Sequence, residues 1–440
     1  MSFPAAPAIA TTGPATKTSG RNPEIPMLTG TRGVAALCVL LSHAFVADVH
    51  FAAPEPSWLN GVRQMAYLGM SIFFVLSGFV IHYNYSAALA SGRAREIWKF
   101  FVARFARLYP LYFVVVVADL FMYNYFYLFS VNYLDTRTTL YGAVPYYIFL
   151  LQSWVFHPIA GKPLLAVFPA LTQVTWSIST EWFFYCAYPI LLIALMRLKT
   201  LRAGLIAALA LSMVGWTAVV LAHHFQSAIE VFGFTRYGVA ARTEGFGFLN
   251  WLVYFSPYVR ILEFLMGCIA ASIFLHLRDA TVSDHERRWG IFVSLGMLIA
   301  FVIFYHSLLV PLPPPHSIRM ICLLFFSGAI PVAVLLFCCA RYGGPIAAVF
   351  TLRPIMICGE ASYSIYLLHI MIVQYVEVYE QALIPHPSAY TAWTLSQALL
   401  KVTIIVLLTV GLAIIVHRLL EVPARRALRR WLTATQTATA

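Results

Sequence analysis

About ten stretches of roughly 20 apolar residues run through this 440-residue sequence, each long enough to cross the hydrocarbon core of a bilayer. They fall near 28–50, 65–84, 107–132, 175–196, 203–222, 256–276, 289–309, 318–340, 356–378 and 394–417. Lipid offers no hydrogen bonds to a backbone, so such segments must bond internally, and a helix does this within one segment. The expected fold class is therefore all-α, a polytopic membrane helix bundle of about ten transmembrane helices. Composition excludes a soluble alternative: 61% of residues are apolar and only 10% are charged, and the mean hydropathy is +0.80. The net charge of +12 needs no nucleic acid to explain it, because short cytoplasmic loops of membrane proteins collect Lys and Arg.

Of the 29 Lys and Arg residues, 21 fall on one alternate set of loops and 8 on the other, which predicts both termini in the cytoplasm. Residues 1–26, rich in Ala, Pro, Thr and Ser, read as a disordered cytoplasmic tail. Residues 27–425 form the transmembrane domain, and 426–440 read as a C-terminal cytoplasmic tail. Pro145 to Phe156 is apolar but too short to cross, so a re-entrant or interfacial segment is expected there. The seven cysteines all lie in apolar runs without CxxC or Cys/His spacing, and read as small core residues; no metal is expected.

Polar groups inside such segments are costly and mark functional sites. Arg32 and His43 are eleven residues apart, about three helical turns and roughly 16 Å, so they share one helix face with one near an end and one deep inside. Arg104 and Arg107 share a face at the start of the third run and suit either a positive-inside anchor or a clamp on phosphates. Ser177, Glu181 and Tyr185 stand at i, i+4 and i+8, placing a hydroxyl, a carboxylate and a phenol in one row. Arg260 and Glu263 suit a structural ion pair, and His82 a polar tip at the membrane interface. Ser362, Tyr366 and His369 form another stripe, with His369 at a depth like that of His43. Two buried imidazoles suit helix-to-helix hydrogen bonding, and equally proton transfer near neutral pH.

These strings together resemble the acyltransferase-3 family of membrane acyltransferases. The resemblance rests on Arg32 and His43 as an R-x10-H pattern, FFVLSGF at 73–79, RFARLYP at 104–110, WSISTEWFFYCAYP at 176–189, RILEFLMG at 260–267, SYSIYLLH at 362–369 and EVP at 421–423. It covers about residues 28 to 425. Two positions depart from the family: Thr29 stands where Asp usually precedes the Arg, and Ser71 where an acidic residue often precedes FF. The family's extracytoplasmic SGNH domain is not in this sequence, which implies a stand-alone transferase.

The resemblance implies an O-acyltransferase in the bacterial inner membrane. It would move an acyl group, here expected to be acetyl, from cytoplasmic acyl-CoA to a hydroxyl of a cell-envelope glycan, a lipid-linked sugar or another small acceptor. His43, Glu181 and His369 are the expected catalytic residues. Arg32, Arg104, Arg107 and Ser77 would bind acyl-CoA (acetyl-CoA), and Trp176, Ser177, Tyr185 and Tyr366 the acceptor. The expected partners are the acyl-CoA donor, the glycan or lipid-linked acceptor and membrane lipids, with no nucleic acid. The alternative is a transporter or flippase of a lipid-linked sugar, in which the same buried His, Arg and Glu line a path.

Overall fold

The apolar runs fold as helices in the computed structural model, which describes residues 22–46, 57–127, 133–167, 173–309, 317–383 and 394–437. Among the described residues, nine helices are long and apolar enough to cross a membrane: Pro26–Val46, Trp58–Leu89, Ala94–Phe121, Trp176–Leu195, Leu201–His224, Phe248–Leu277, Asp284–Ser307, Ile318–Tyr342 and Leu395–Leu432. A further pair, Arg353–Glu360 and Ser362–Glu377, meets at 78° and is long and apolar enough as a pair to make a tenth span, or a re-entrant loop. The fold is thus the all-α membrane bundle that the hydropathy requires. One two-stranded ladder, Pro158–Ile159 against Lys162–Pro163, lies in a connection.

Burial sorts the helices into an inner set and a peripheral set. The windows in Leu201–His224 and Asp284–Ser307 are only 11% and 17% buried, so their apolar side chains face outward, as lipid requires. Those in Trp58–Leu89 and Ile318–Tyr342 are 67% and 72% buried and form the centre. There the Met65–Leu89 and Pro257–Leu277 helices pack backbone to backbone. A Cβ on Gly78 would stand 1.9 Å from the Phe264 carbonyl oxygen, and one on Gly267 would stand 1.8 Å from that of Val75. Only glycine permits this approach, and the Cys268 thiol donates to the Gly78 carbonyl across the seam at 3.4 Å.

Three local expectations change. The third crossing begins at Ala94, a full three turns before the apolar run at 107, so Arg104 and Arg107 sit well inside a helix that runs to Tyr127. The hydropathy signal starts only where Arg95, Glu96 and Lys99 end, whereas helical bonding starts just past Gly92, whose φ of 63° closes the preceding turn. Most of the expected N-terminal tail, 1–21, lies outside the described residues, but Asn22 to Ile25 are packed. The Tyr83 hydroxyl donates to the Pro23 carbonyl at 2.8 Å, and Arg278 Nη1 donates to Asn22 Oδ1 at 2.7 Å. The expected C-terminal tail is helical: a five-residue π-helix, His417–Glu421, leads into the Val422–Thr437 helix, which lies against the Ala94–Tyr127 helix.

The short apolar segment near 145–156 does not cross. The Tyr133–Ile148 helix ends in a turn at Leu150 (φ 58°), and the next residues dock on the start of the Trp176–Leu195 helix. Gln152 Nε2 donates to the Thr175 carbonyl at 3.1 Å, Ser153 Oγ to Ser179 Oγ at 2.9 Å, and Trp154 Nε1 to the Ser179 carbonyl at 3.0 Å. This small polar knot satisfies backbone that a re-entrant segment would otherwise expose.

The glycine seam yields a stability prediction. Gly267→Val forces the two central helices apart, and overpacking of this kind costs about 1–3 kcal/mol or more. The variant is expected to lose monodispersity in size-exclusion chromatography. Gly296→Ala, at a position with nothing within 4 Å, is expected to behave like the parent.

Candidate active site

The Pro26–Val46 helix carries Arg32 and His43 on one face, and the structure puts different chemistry at the two levels. Around Arg32 lies a pocket of about 50 Å³, whose wall includes Phe73, Phe74, Ser77, Arg104, Arg107, Ser177, Glu181 and Tyr366. It shares Arg32, Val80, Arg104, Arg107, Ser362 and Tyr363 with a wider cavity of about 790 Å³. The wide cavity opens at the end of the bundle that bears Asn22, Tyr85, Met356 and Arg425.

The arginines at the junction have few direct hydrogen-bond partners, although the charges of Glu181 and Glu421 act on them from nearby. Arg104 Nη2 donates to the Tyr85 hydroxyl at 2.6 Å and its guanidinium lies 4.8 Å from that ring's centre, yet its Nε is buried with no hydrogen-bond partner. Arg32 and Arg107 make no hydrogen bond or ion pair within 4 Å among the described residues. The nearby carboxylate, Glu181, is engaged elsewhere: its Oε1 accepts from Ser77 Oγ at 3.1 Å and from the Tyr185 hydroxyl. Three guanidinium groups gathered at one cavity are able to bind an anion through charge-assisted hydrogen bonds.

Beyond the pocket, Tyr366 forms the far wall. Its hydroxyl donates to the Val174 carbonyl at 2.9 Å and accepts from Ser177 Oγ at 2.7 Å. The His369 ring lies 5.7 Å behind the Tyr366 ring, and the His43 ring 5.0 Å from His369. Three short contacts determine the tautomers. His43 Nδ1 lies 2.9 Å from the Val39 carbonyl and His369 Nδ1 lies 2.6 Å from the Tyr366 carbonyl. A carbonyl only accepts, so both Nδ1 atoms carry hydrogen when the rings are neutral. His369 Nε2, 3.3 Å from His43 Nδ1, is then an acceptor for the same N–H. His43 is left with an unprotonated Nε2, the form required of a base.

Of the residues singled out from sequence, Arg32, Ser77, Arg104, Arg107, Ser177, Glu181 and Tyr366 line one pocket. Tyr185 stands behind Glu181 with its side chain fully buried. His43 and His369 form a pair behind Tyr366 and do not line that pocket. Trp176 packs among Phe74, Tyr254 and Phe255 in the aromatic core at centroid distances of 4.9 to 6.0 Å, and is not on the pocket wall. His82 is no interfacial tip: it is buried and lies 3.1 Å from the Tyr188 hydroxyl. Sequence reasoning gave no site role to Tyr85, Arg425, Arg426 and Arg429, nor to Tyr363 and Glu421, which it quoted only within motifs; all six are on the wide cavity's wall. The spacing of Arg425 and Arg429, i and i+4, was the available signal.

Arg260 and Glu263 pair at 3.0 Å, with side chains only 1% and 0% exposed. Arg260 Nε also donates to the Tyr254 carbonyl at 2.8 Å, and Ser71 Oγ donates to Glu263 Oε1 at 2.6 Å. Ser71 is therefore suited to its place, since a carboxylate there would face Glu263 as a like charge. This pair and Glu181 predict opposite phenotypes. Glu263→Ala strands a buried guanidinium, an effect worth about 3–5 kcal/mol, and is expected to lower the melting temperature in detergent. Glu181→Gln keeps its hydrogen-bonding shape and is expected to leave the melting temperature within a few degrees of the parent while impairing turnover.

Comparison with known proteins agrees with this arrangement. The acyltransferase-3 family, described as an acyltransferase domain, matches residues 26–418. The chain is 26% identical over 364 residues to the acyltransferase MdmB of Streptomyces mycarofaciens, covering 80% of each chain. It is 21% identical over 358 residues to the peptidoglycan O-acetyltransferase OatA of Listeria monocytogenes, covering 79% of this chain and 49% of that one. It is 25% identical over 356 residues to the putative peptidoglycan O-acetyltransferase YrhL of Bacillus subtilis, covering 79% of this chain and 48% of that one. The chain thus spans about half the length of the latter two. No solved structure matches it. With the family pattern extending over nearly the whole sequence, the chain belongs to the acyltransferase-3 family of membrane acyltransferases.

Proposed function

We propose that the protein transfers an acetyl group from acetyl-CoA, bound from the cytoplasm, to a hydroxyl of a cell-envelope glycan or lipid-linked sugar in a bacterial inner membrane. The observation that carries this reading is the junction of the two cavities, where Arg32, Arg104 and Arg107 meet with few partners of their own. CoA brings a pyrophosphate, which such a cluster would bind through charge-assisted hydrogen bonds. Arg32 and His43 are roughly 16 Å apart along one helix, so a pantetheine arm lying along that face would carry the thioester from the phosphate level toward the imidazoles. The acceptor class is taken from two relatives that are named for peptidoglycan O-acetylation.

The chemistry follows from the tautomers. In this reading His43 Nε2 removes the proton from the acceptor hydroxyl as its oxygen attacks the thioester carbonyl carbon. The C–S bond then breaks, the acetyl group is left on the acceptor oxygen, and the thiolate takes the proton from the imidazolium. His369 Nε2 holds the His43 Nδ1–H and orients the ring, so it is a positioning residue. Glu181, with Ser77 and Tyr185, orders the pocket between the donor phosphates and the reacting centre.

His43→Ala is expected to lower turnover at least about a hundredfold in purified protein while leaving acetyl-CoA binding intact. His369→Ala is expected to cost less, and the double variant to be no slower than His43→Ala, because the second ring acts through the first. A monodisperse His43→Ala protein acetylating at the parental rate would overturn the base assignment. Arg104→Ala and Arg107→Ala each remove a contact worth about 1.5–3 kcal/mol, and are expected to raise the KM for acetyl-CoA about ten- to a hundredfold. Parental KM values in both would place the clamp elsewhere. A reporter active only outside the cytoplasm is expected to be silent when fused at the C-terminus.

A further inference from the structure

The wide cavity is larger than a pyrophosphate requires, and its outer wall is built from the last helix of the chain. Val422–Thr437 contributes Arg425, Arg426 and Arg429 to that wall. These arginines are set apart from the Arg32, Arg104 and Arg107 cluster at the throat, since only the throat cluster also lines the inner pocket. They are aimed by a specific junction. At the end of the π-helix His417–Glu421, the Glu421 carboxylate accepts from Ser364 Oγ at 2.8 Å and lies 2.9 Å from His417 Nδ1 through the same Oε2. That ties the start of the arginine helix to the Ser362–Leu383 helix, whose Tyr366 closes the inner pocket. Arg425 and Arg426 make no hydrogen bond or ion pair within 4 Å among the described residues, the Glu421 charge acts on Arg425 from nearby, and Arg429 has a contact of its own. Glu24, Glu360 and Glu421 share the wall, so the cavity is not uniformly basic.

We infer that Arg425, Arg426 and Arg429 form a second phosphate subsite, which binds the ribose phosphate of the CoA donor and selects CoA thioesters over thioesters lacking that phosphate. The inference rests on the acyl-CoA reading above and adds to it the handle by which the donor is told apart. One cavity of about 790 Å³ has the size of a site for a large ligand and carries cations at two places, and CoA carries phosphates at two places. Guanidinium suits the task, since its planar fork meets two phosphate oxygens at once. Lipid headgroup phosphate has the same chemistry, so the test separates the two sources.

The experiment compares acetyl-CoA with acetyl-dephospho-CoA, which differs only by the ribose phosphate, as donors for purified protein in neutral phosphatidylcholine nanodiscs. The parent is expected to show a KM about tenfold or more lower for acetyl-CoA, and the combined R425A/R426A/R429A variant to bring that ratio near one. The R425K/R426K/R429K variant, which keeps the charge, is expected to retain part of the preference and shows whether loss in the alanine protein reflects folding. Equal KM values for the two donors in the parent would overturn the subsite while leaving acyl-CoA transfer standing. An effect of the alanine substitutions seen only when phosphatidylglycerol is added, and equal for both donors, would assign the arginines to lipid and overturn it as well. A protein that hydrolyses or transfers from neither thioester, yet moves a lipid-linked sugar, would instead remove the acyl-CoA reading itself.

Discussion

Three guanidinium groups facing one cavity inside an apolar bundle are the constraint on which the rest of this structure turns. A charge withdrawn from water must be paired, hydrated or repaid by a ligand. The chain uses the first solution at Arg260, where Glu263, the Tyr254 carbonyl and a tyrosine face surround the guanidinium. It uses it only at a distance at Arg32 and Arg107, where Glu181 on the same pocket wall acts by charge without a direct bond to either among the described residues. Glu181 is instead held by Ser77 and Tyr185. The two arginine sites differ in degree: Arg260 has a direct carboxylate partner and leaves only its Nη2 unbonded, whereas Arg32 and Arg107 face a cavity without a direct partner among the described residues.

The open site dictates where the helices can be tight and where they cannot. The glycine seam between the helices of Gly78 and Gly267 draws the centre of the bundle together at the residue next to Ser77. On the other side of the cavity the chain does the reverse. The pair Arg353–Glu360 and Ser362–Glu377 is bent by 78°, and both halves reach the cavities: Met356, Gly359 and Glu360 line the wide one, and Ser362, Tyr363 and Tyr366 the inner pocket.

Hydropathy made the class of fold and nearly every crossing legible, because a bilayer leaves few choices for an apolar run of 20 residues. It failed where helical structure and apolarity part company. The Ala94–Tyr127 helix begins among charges, and Val422–Thr437 is a helix whose arginines hide it from any hydropathy window. The site was legible to the extent that it follows helical period: Arg32 with His43, Ser177 with Glu181, and Tyr366 with His369 lie where the spacing placed them. Depth was harder. Trp176 sits one residue from Ser177 on the same helix, yet the 100° turn per residue carries it into the aromatic core. Contacts between distant segments, such as Glu421 with Ser364, leave no trace in local spacing.

The imidazole pair shows how a neutral ring can do work often assigned to a carboxylate. In a lipid-embedded site, a carboxylate beside His43 would add a buried negative charge that itself needs compensation. His369 accepts the Nδ1–H of His43 without bringing a charge, and the Tyr366 carbonyl in turn fixes its tautomer. That carbonyl belongs to the residue whose hydroxyl is bonded to Val174 and Ser177 at the cavity wall. One residue therefore couples the pocket to the imidazole pair: Tyr366 sets the position of its own ring by its hydroxyl and the tautomer of His369 by its backbone. Anything that displaces the ring at the wall reaches the His43 ring through two hydrogen bonds.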